Sequence, residues 1–170
     1  TGHKEQDNRL AARGGLGALM GSKGLKAIVI DASGAGSLPL ADPDLFRASA
    51  RRFAQELIDS PKTGRKGAMH LYGTAAIVAA VNEMGALPTR NFREGRFEAA
   101  ENLTGQKIRE TILQRGGQVG TPCMPGCVIA CCNQYVDTEG QPVVSTLQYE
   151  TVGLLGSNLG AFLYERMLKP

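Results

Sequence analysis

A mostly helical chain with a short β portion near its beginning, an α+β arrangement, follows from three features of the sequence. Residues 26–31 form a β-branched run, several later segments carry helical period with caps, and glycine or proline separates them. At 170 residues the length fits one domain and allows a real core. Hydrophobic residues at 42% and charged residues at 21% fit a soluble globular protein; the 22 glycines follow no three-residue period, which excludes a collagen-like chain.

The elements follow in order. Residues 26–31, K-A-I-V-I-D, read as a buried strand, and residues 33–40 as a glycine- and serine-rich loop. Asp42-Pro43 supplies an N-cap and a first-turn proline. Phe46, Ala50, Phe53 and Leu57 then repeat at helical steps, predicting a helix with one buried face that stops at Ser60-Pro61. A basic loop at 62–67 precedes a second helix over 75–84, apolar nearly all round, hence interior, and capped by Gly85. Residues 87–96 make an irregular polar loop. Thr104 caps a third helix reaching about Arg115 and ended by Gly116-Gly117. Residues 134–136 and 143–144 predict a hairpin around 137–140, and 148–168 a last helix interrupted by Gly153, Gly156 and Gly160.

Charge and hydropathy exclude some functions. A net charge of +3 does not argue for nucleic acid or an anionic membrane. No run approaches the roughly 18 apolar residues of a membrane span. Residues 1–9 are polar and lack the apolar middle of a secretory signal. The chain starts at Thr1, and its glycine-rich turn leads into a strand with nothing before it to pair with, so a piece of a longer protein is expected.

The cysteines carry the strongest chemical signal. All four, Cys123, Cys127, Cys131 and Cys132, fall within ten residues. A disulfide framework spreads its cysteines to close useful loops, so this cluster points to a reducing compartment and thiolate–metal chemistry. Pro125-Gly126 predicts a turn, and a helix starting at Cys127 would set Cys127 and Cys131 on one face. Cys123 folds back from the preceding loop, and three thiolates so placed suit corners of a [4Fe–4S] cluster. Cys132 is a poor fourth ligand, because adjacent helical residues point about 100° apart. A structural zinc site and simple buried thiols stay open beside that reading, although the chain offers only His3 and His70 as histidine ligands.

Two further places carry chemistry. Arg9, Arg13, Gly14, Gly15 and Gly17 form a glycine-rich segment suited to an anion, or equally to a tight turn and close packing. It is neither a Walker loop nor a dinucleotide fingerprint. Glu150, beside Tyr149, starts an apolar helix; burial in a cleft would fit it for proton transfer, and an exposed helix-start glutamate is the plain alternative. His70 and Tyr72 precede a buried helix, where they line a pocket or pack the core. Arg90-Asn91 is equally open.

These segments together resemble the aldehyde ferredoxin oxidoreductase family. The resemblance is carried by R-L-A-A-R-G-G-L-G-A-L-M-G-S-K-G-L-K-A-I, then G-T-A-A-I-V-A-A-V-N-E-M-G-A-L-P-T-R-N-F, C-M-P-G-C-V-I-A-C and Y-E-T-V-G-L-L-G-S-N, in the family's order. It implies a fragment of a larger multidomain enzyme. Residues 1–40 would end a pterin-binding N-terminal domain, and 41–170 would form a truncated helical second domain carrying the cysteine motif. Such an enzyme oxidises aldehydes to carboxylic acids at a tungsten or molybdenum bis-pterin and passes electrons through a [4Fe–4S] cluster to ferredoxin, in the cytoplasm, with a homo-oligomer as the expected full-length form. By the resemblance, Arg9, Ala12, Arg13, Gly14 and Gly15 contact the pterin, Cys123, Cys127 and Cys131 ligate the cluster, and Glu150 moves a proton. The spacing departs from the well-known members, which place two residues between the first two cysteines where this chain has three; the wider form resembles a branch of less settled substrates. A benzoyl-CoA-reductase-like subunit and, from another class, a zinc-stabilised binding module are the alternatives.

Overall fold

The computed structural model describes residues 13–144 and 146–161, so Arg9 and Ala12 lie outside the described residues. The chain divides into two compact units, Thr1–Arg51 and Arg52–Pro170.

In the first unit, a 3-10 turn at Arg13–Gly15 leads into α1, Leu16–Ser22. The predicted strand at 26–31 does not form: the segment has no pairing partner among the described residues, and Ile28, Val29 and Ile30 are 68%, 90% and 84% exposed. β-branched residues favour extended backbone, but a strand also needs a neighbour to take its N–H and C=O groups. Asp42 caps α2, Pro43–Asp59, as the sequence predicts, its Oδ1 accepting from the N–H groups of Asp44 and Leu45 at 3.1 and 2.9 Å. The apolar face of α2 is not buried, however; Phe46 and Phe53 are 57% and 63% exposed. Helical period creates a stripe, and burial needs a second surface to cover it.

The second unit holds the core. Helix α3, Ala68–Tyr72, ends at Gly73, whose φ of 62° and ψ of −158° break the helical path. A 3-10 turn, Gly73–Ile77, follows and then α4, Val78–Glu83. The single helix predicted over 75–84 is therefore two short pieces, because the Thr74 N–H and hydroxyl bond the Gln148 side chain. Nor is it interior all round: Ala75 and Val78 are buried, while Ile77 is 45% exposed. Gly85, at φ 72°, closes α4 as predicted.

Thr104 caps α5, Gly105–Gln114, its hydroxyl accepting from Lys107 N at 3.3 Å. A Cβ at Gly105 would lie 2.6 Å from Tyr72 Cβ, so glycine lets α5 sit directly against the end of α3. Leu87, Phe97, Leu103, Ile108, Ile112, Tyr135 and Leu147 fill the core. Burying each contributes roughly 1.5–3 kcal/mol.

The β portion lies here and not at the beginning of the chain. Strands β1 (Gln118–Thr121), β2 (Cys132–Val136) and β3 (Pro142–Val144) form an antiparallel sheet in the order β1-β2-β3. The β2–β3 hairpin matches the sequence prediction, and Asp137 organises its turn by accepting from the N–H groups of Glu139 and Gln141. Beyond it come α6 (Tyr149–Thr151), a π-helical turn (Val152–Gly156) and a 3-10 turn (Ser157–Leu159). The interruption predicted for this helix falls at Gly156, which at φ −94° and ψ −102° leaves the helical region, while the π-helical turn runs through Gly153. The stretch of that prediction beyond Ala161 lies outside them.

Candidate metal centre

All four cysteines lie on or beside the loop that joins β1 to β2. Pro125-Gly126 makes the predicted turn: Cys127 N donates to Met124 O at 3.2 Å, and Gly126 takes a φ of 81° that the third position of a type II turn requires. The helix predicted from Cys127 does not form. Ala130, buried and at φ 50°, turns the chain out of any helical path, so Cys127 and Cys131 sit on a loop and not on one helix face.

None of the cysteines is in a disulfide; Cys123, Cys127 and Cys131 are half-buried and Cys132 is buried. Burial alone would raise the Cys127 thiol pKa, but backbone N–H groups of Ala130, Cys123 and Ile129, together with the Cys123 thiol, outweigh it and lower the value. Cys131 is lowered to about 7, chiefly by a hydrogen bond with the Cys132 side chain, against burial and the negative charges of Cys127 and Cys123. Cys123, Cys127 and Cys131 thus share one electrostatic neighbourhood. Among the described residues no group of three His, Cys, Asp or Glu side chains closes on a single-ion position. One zinc ion would need every sulfur at about 2.3 Å. A four-iron cluster spreads its thiolates over different irons, a spacing that a looser set of sulfurs suits.

The second unit pins this loop from several sides. His70 Nδ1 lies 2.8 Å from Ile129 O, and Gln148 Nε2 donates to Cys131 O at 3.4 Å. Gln148 Oε1 also accepts from the N–H and hydroxyl of Thr74 at 2.8 and 2.5 Å, while the Thr74 hydroxyl accepts from Tyr149 N at 2.9 Å. Asn133, next to Cys132, clamps the returning chain: its Nδ2 donates to Leu147 O and its Oδ1 accepts from Leu147 N. His70 and Tyr72 line a cavity of about 10 Å³ together with Arg109, Gly120 and Cys131. That volume is near the room one water needs. Sequence reasoning missed Gln148, Thr74 and Asn133, whose partners are far away along the chain.

Glu150 opens α6 two residues after Gln148, and its side chain is exposed. Its neighbour Tyr149 has a raised pKa, first from burial and then from the Glu150 charge. Gly14 and Gly15 take φ of 77° and 70° in the turn before α1, backbone that favours glycine. Arg90 and Asn91 have a packing account: with Phe92 they form a left-handed turn whose N–H groups bond Ser157 O and Asn158 O. Arg90 also pairs with Glu94 and Glu98 and stacks on Phe97.

The family model described as aldehyde ferredoxin oxidoreductase, domains 2 and 3, matches residues 49–169. The tungsten-containing aldehyde ferredoxin oxidoreductase of Thermococcus kodakarensis is 38% identical over 154 residues, which are 90% of this chain and 24% of that protein. Its namesake from Pyrococcus furiosus is 37% identical over 158 residues, again 90% and 24%. A Pyrococcus furiosus protein called aliphatic sulfonate oxidoreductase, WOR-like subunit, is 30% identical over 93% of this chain. The chain spans about a quarter of the length of these relatives (24%). Matched over most of its described second unit, the chain belongs to the aldehyde ferredoxin oxidoreductase family.

Proposed function

We propose that the full-length protein is a tungsten- or molybdenum-pterin oxidoreductase that oxidises aldehydes to carboxylic acids and delivers the electrons through a [4Fe–4S] cluster to ferredoxin. The observation that carries this reading is the β1–β2 loop, where Cys123, Cys127 and Cys131 share one neighbourhood outside any disulfide. When bound, the pterin-held metal would supply the two-electron chemistry, and the cluster would pass electrons singly.

Under this reading the chain's own residues divide the work. Cys123, Cys127 and Cys131 hold the cluster, with a fourth ligand from beyond this chain. The N–H groups of Ile129 and Ala130 hydrogen-bond the Cys127 sulfur and stabilise its anionic form. Arg9, Ala12, Arg13, Gly14 and Gly15 contact the pterin, where the glycines let backbone approach closely. Residues 1–40 then belong to the pterin-binding domain and 41–170 to the next. Glu150 takes and releases a proton near the substrate; its carboxylate opens α6, whose first turn is tied to the cysteine loop through Gln148.

Ferredoxin as electron acceptor, a cytoplasmic setting and a homo-oligomeric whole protein complete the proposal. Among the described residues no helix is long and apolar enough to cross a membrane. The test is metal analysis of the full-length protein with assay of aldehydes and an aliphatic sulfonate against a low-potential dye. Tungsten or molybdenum with iron, and carboxylic acid formed from an aldehyde, supports the proposal. Zinc as the sole metal, or activity confined to the sulfonate, refutes it.

A further inference from the structure

His70 reaches across the fold to the cysteine loop, 59 residues away in sequence, and its ring Nδ1 meets the Ile129 carbonyl at 2.8 Å. A carbonyl oxygen only accepts, so Nδ1 carries the hydrogen of this bond. The ring has a seat made for it. Gly120 is the bulged residue of β1, where the pairing with β2 slips between Val119 and Thr121, and its φ is +72°. A Cβ there would lie 3.1 Å from both Cε1 and Nε2 of His70. The bare backbone at 120 is what admits the imidazole.

The consequence lies in the next peptide plane. Ile129 O and Ala130 N–H belong to one planar trans peptide, so they point in opposite directions. His70 holds the oxygen on one side, and the Ala130 N–H is bonded to the Cys127 sulfur. Ala130 accepts a φ of 50°, costly for a residue with a side chain, to keep this orientation.

We propose that His70 is a positioning residue that fixes the Ile129–Ala130 peptide and thereby sets the reduction potential of the cluster on this loop. The inference rests on the cluster reading given above. An N–H aimed at a thiolate withdraws charge from it and favours the reduced cluster, so releasing the peptide drives the potential more negative.

The experiment uses the full-length protein and two variants. His70→Leu keeps the bulk against Gly120 without the donor, and His70→Asn keeps a donor near the Nδ1 position. Iron content, midpoint potential by electron paramagnetic titration, and amide exchange at Ala130 are measured in each. The expected result is a more negative midpoint and about tenfold faster Ala130 exchange in His70→Leu, unchanged iron, and return of both readouts in His70→Asn. A wild-type protein without iron sinks the cluster reading and this inference with it. An iron-loaded His70→Leu protein with wild-type midpoint and exchange overturns the role of His70 alone. If His70→Leu does not fold, His70→Phe takes its place, keeping a ring and removing the donor: a more negative midpoint with faster Ala130 exchange supports the inference, and wild-type values in an iron-loaded protein overturn it.

Discussion

Gln148 and Thr74, 74 residues apart in sequence, are joined twice, because Gln148 Oε1 accepts from both the N–H and the hydroxyl of Thr74. The other end of the same amide donates to Cys131 O. One side chain therefore ties the turn after α3, the end of the cysteine loop and the start of α6. Gln148→Leu removes all of these bonds from a half-buried place. The expected loss of stability is roughly 1–3 kcal/mol, read from urea unfolding. A variant that unfolds at the wild-type midpoint shows that the bridge is idle.

Asn133 gives a sharper case because it is buried. Its amide pairs with both backbone groups of Leu147, at 3.2 and 2.9 Å. Asn133→Ala leaves that N–H and C=O without partners away from water, at a cost of about 2–3 kcal/mol. A melting curve measures the loss, and amide exchange at Leu147 should accelerate with it.

Where the fold is legible in the sequence, the signal is local. Asp42 and Thr104 cap their helices as their residue types demand, and Asp137 marks the β2–β3 turn. The cysteines, close together in sequence, fall as expected on or beside one loop, at a turn made by Pro125-Gly126. The misses are non-local. The run 26–31 has strand character but no pairing partner among the described residues, and the α2 stripe is at most half-buried, at Leu57. Strand β1 is four residues long with a glycine bulge inside, too short for its period to show. The helix expected at Cys127 fails because Ala130 sits in left-handed backbone held from outside by His70. Nothing near Cys127 in sequence encodes that tie.

Two glycines separate packing from backbone propensity. Gly105→Ala would push a methyl to 2.6 Å from Tyr72 Cβ, while a Cβ at Gly153 meets nothing within 4 Å. The first substitution should destabilise by about 1–3 kcal/mol through overpacking. The second should be neutral or stabilise by up to about 1 kcal/mol through lost chain entropy. Thermal melting of both variants checks the contrast, and equal effects would contradict it.

The left-handed turn at Arg90 predicts a pH response. The Glu98 carboxyl is held below its ordinary value by its own backbone N–H first and by the Arg90 guanidinium second. A depressed carboxylate contributes stability above its ordinary pKa and loses it as pH falls through the lowered value. Both partners are exposed, so the effect is visible in titration more than in unfolding. Arg90→Gln should raise the Glu98 midpoint, leaving it still below the ordinary value because the backbone bond stays. Carboxyl carbon NMR across the acid range follows this directly.

The central claim concerns which sulfurs hold iron. The deciding measurement is iron and acid-labile sulfide content, with Mössbauer spectra, of the full-length protein and its single Cys123→Ala, Cys127→Ala, Cys131→Ala and Cys132→Ala variants. The account predicts a [4Fe–4S] spectrum with about four irons per chain in the wild type and in Cys132→Ala, and its loss or conversion in each of the other three. Iron untouched by those three substitutions, or zinc in its place, would contradict it.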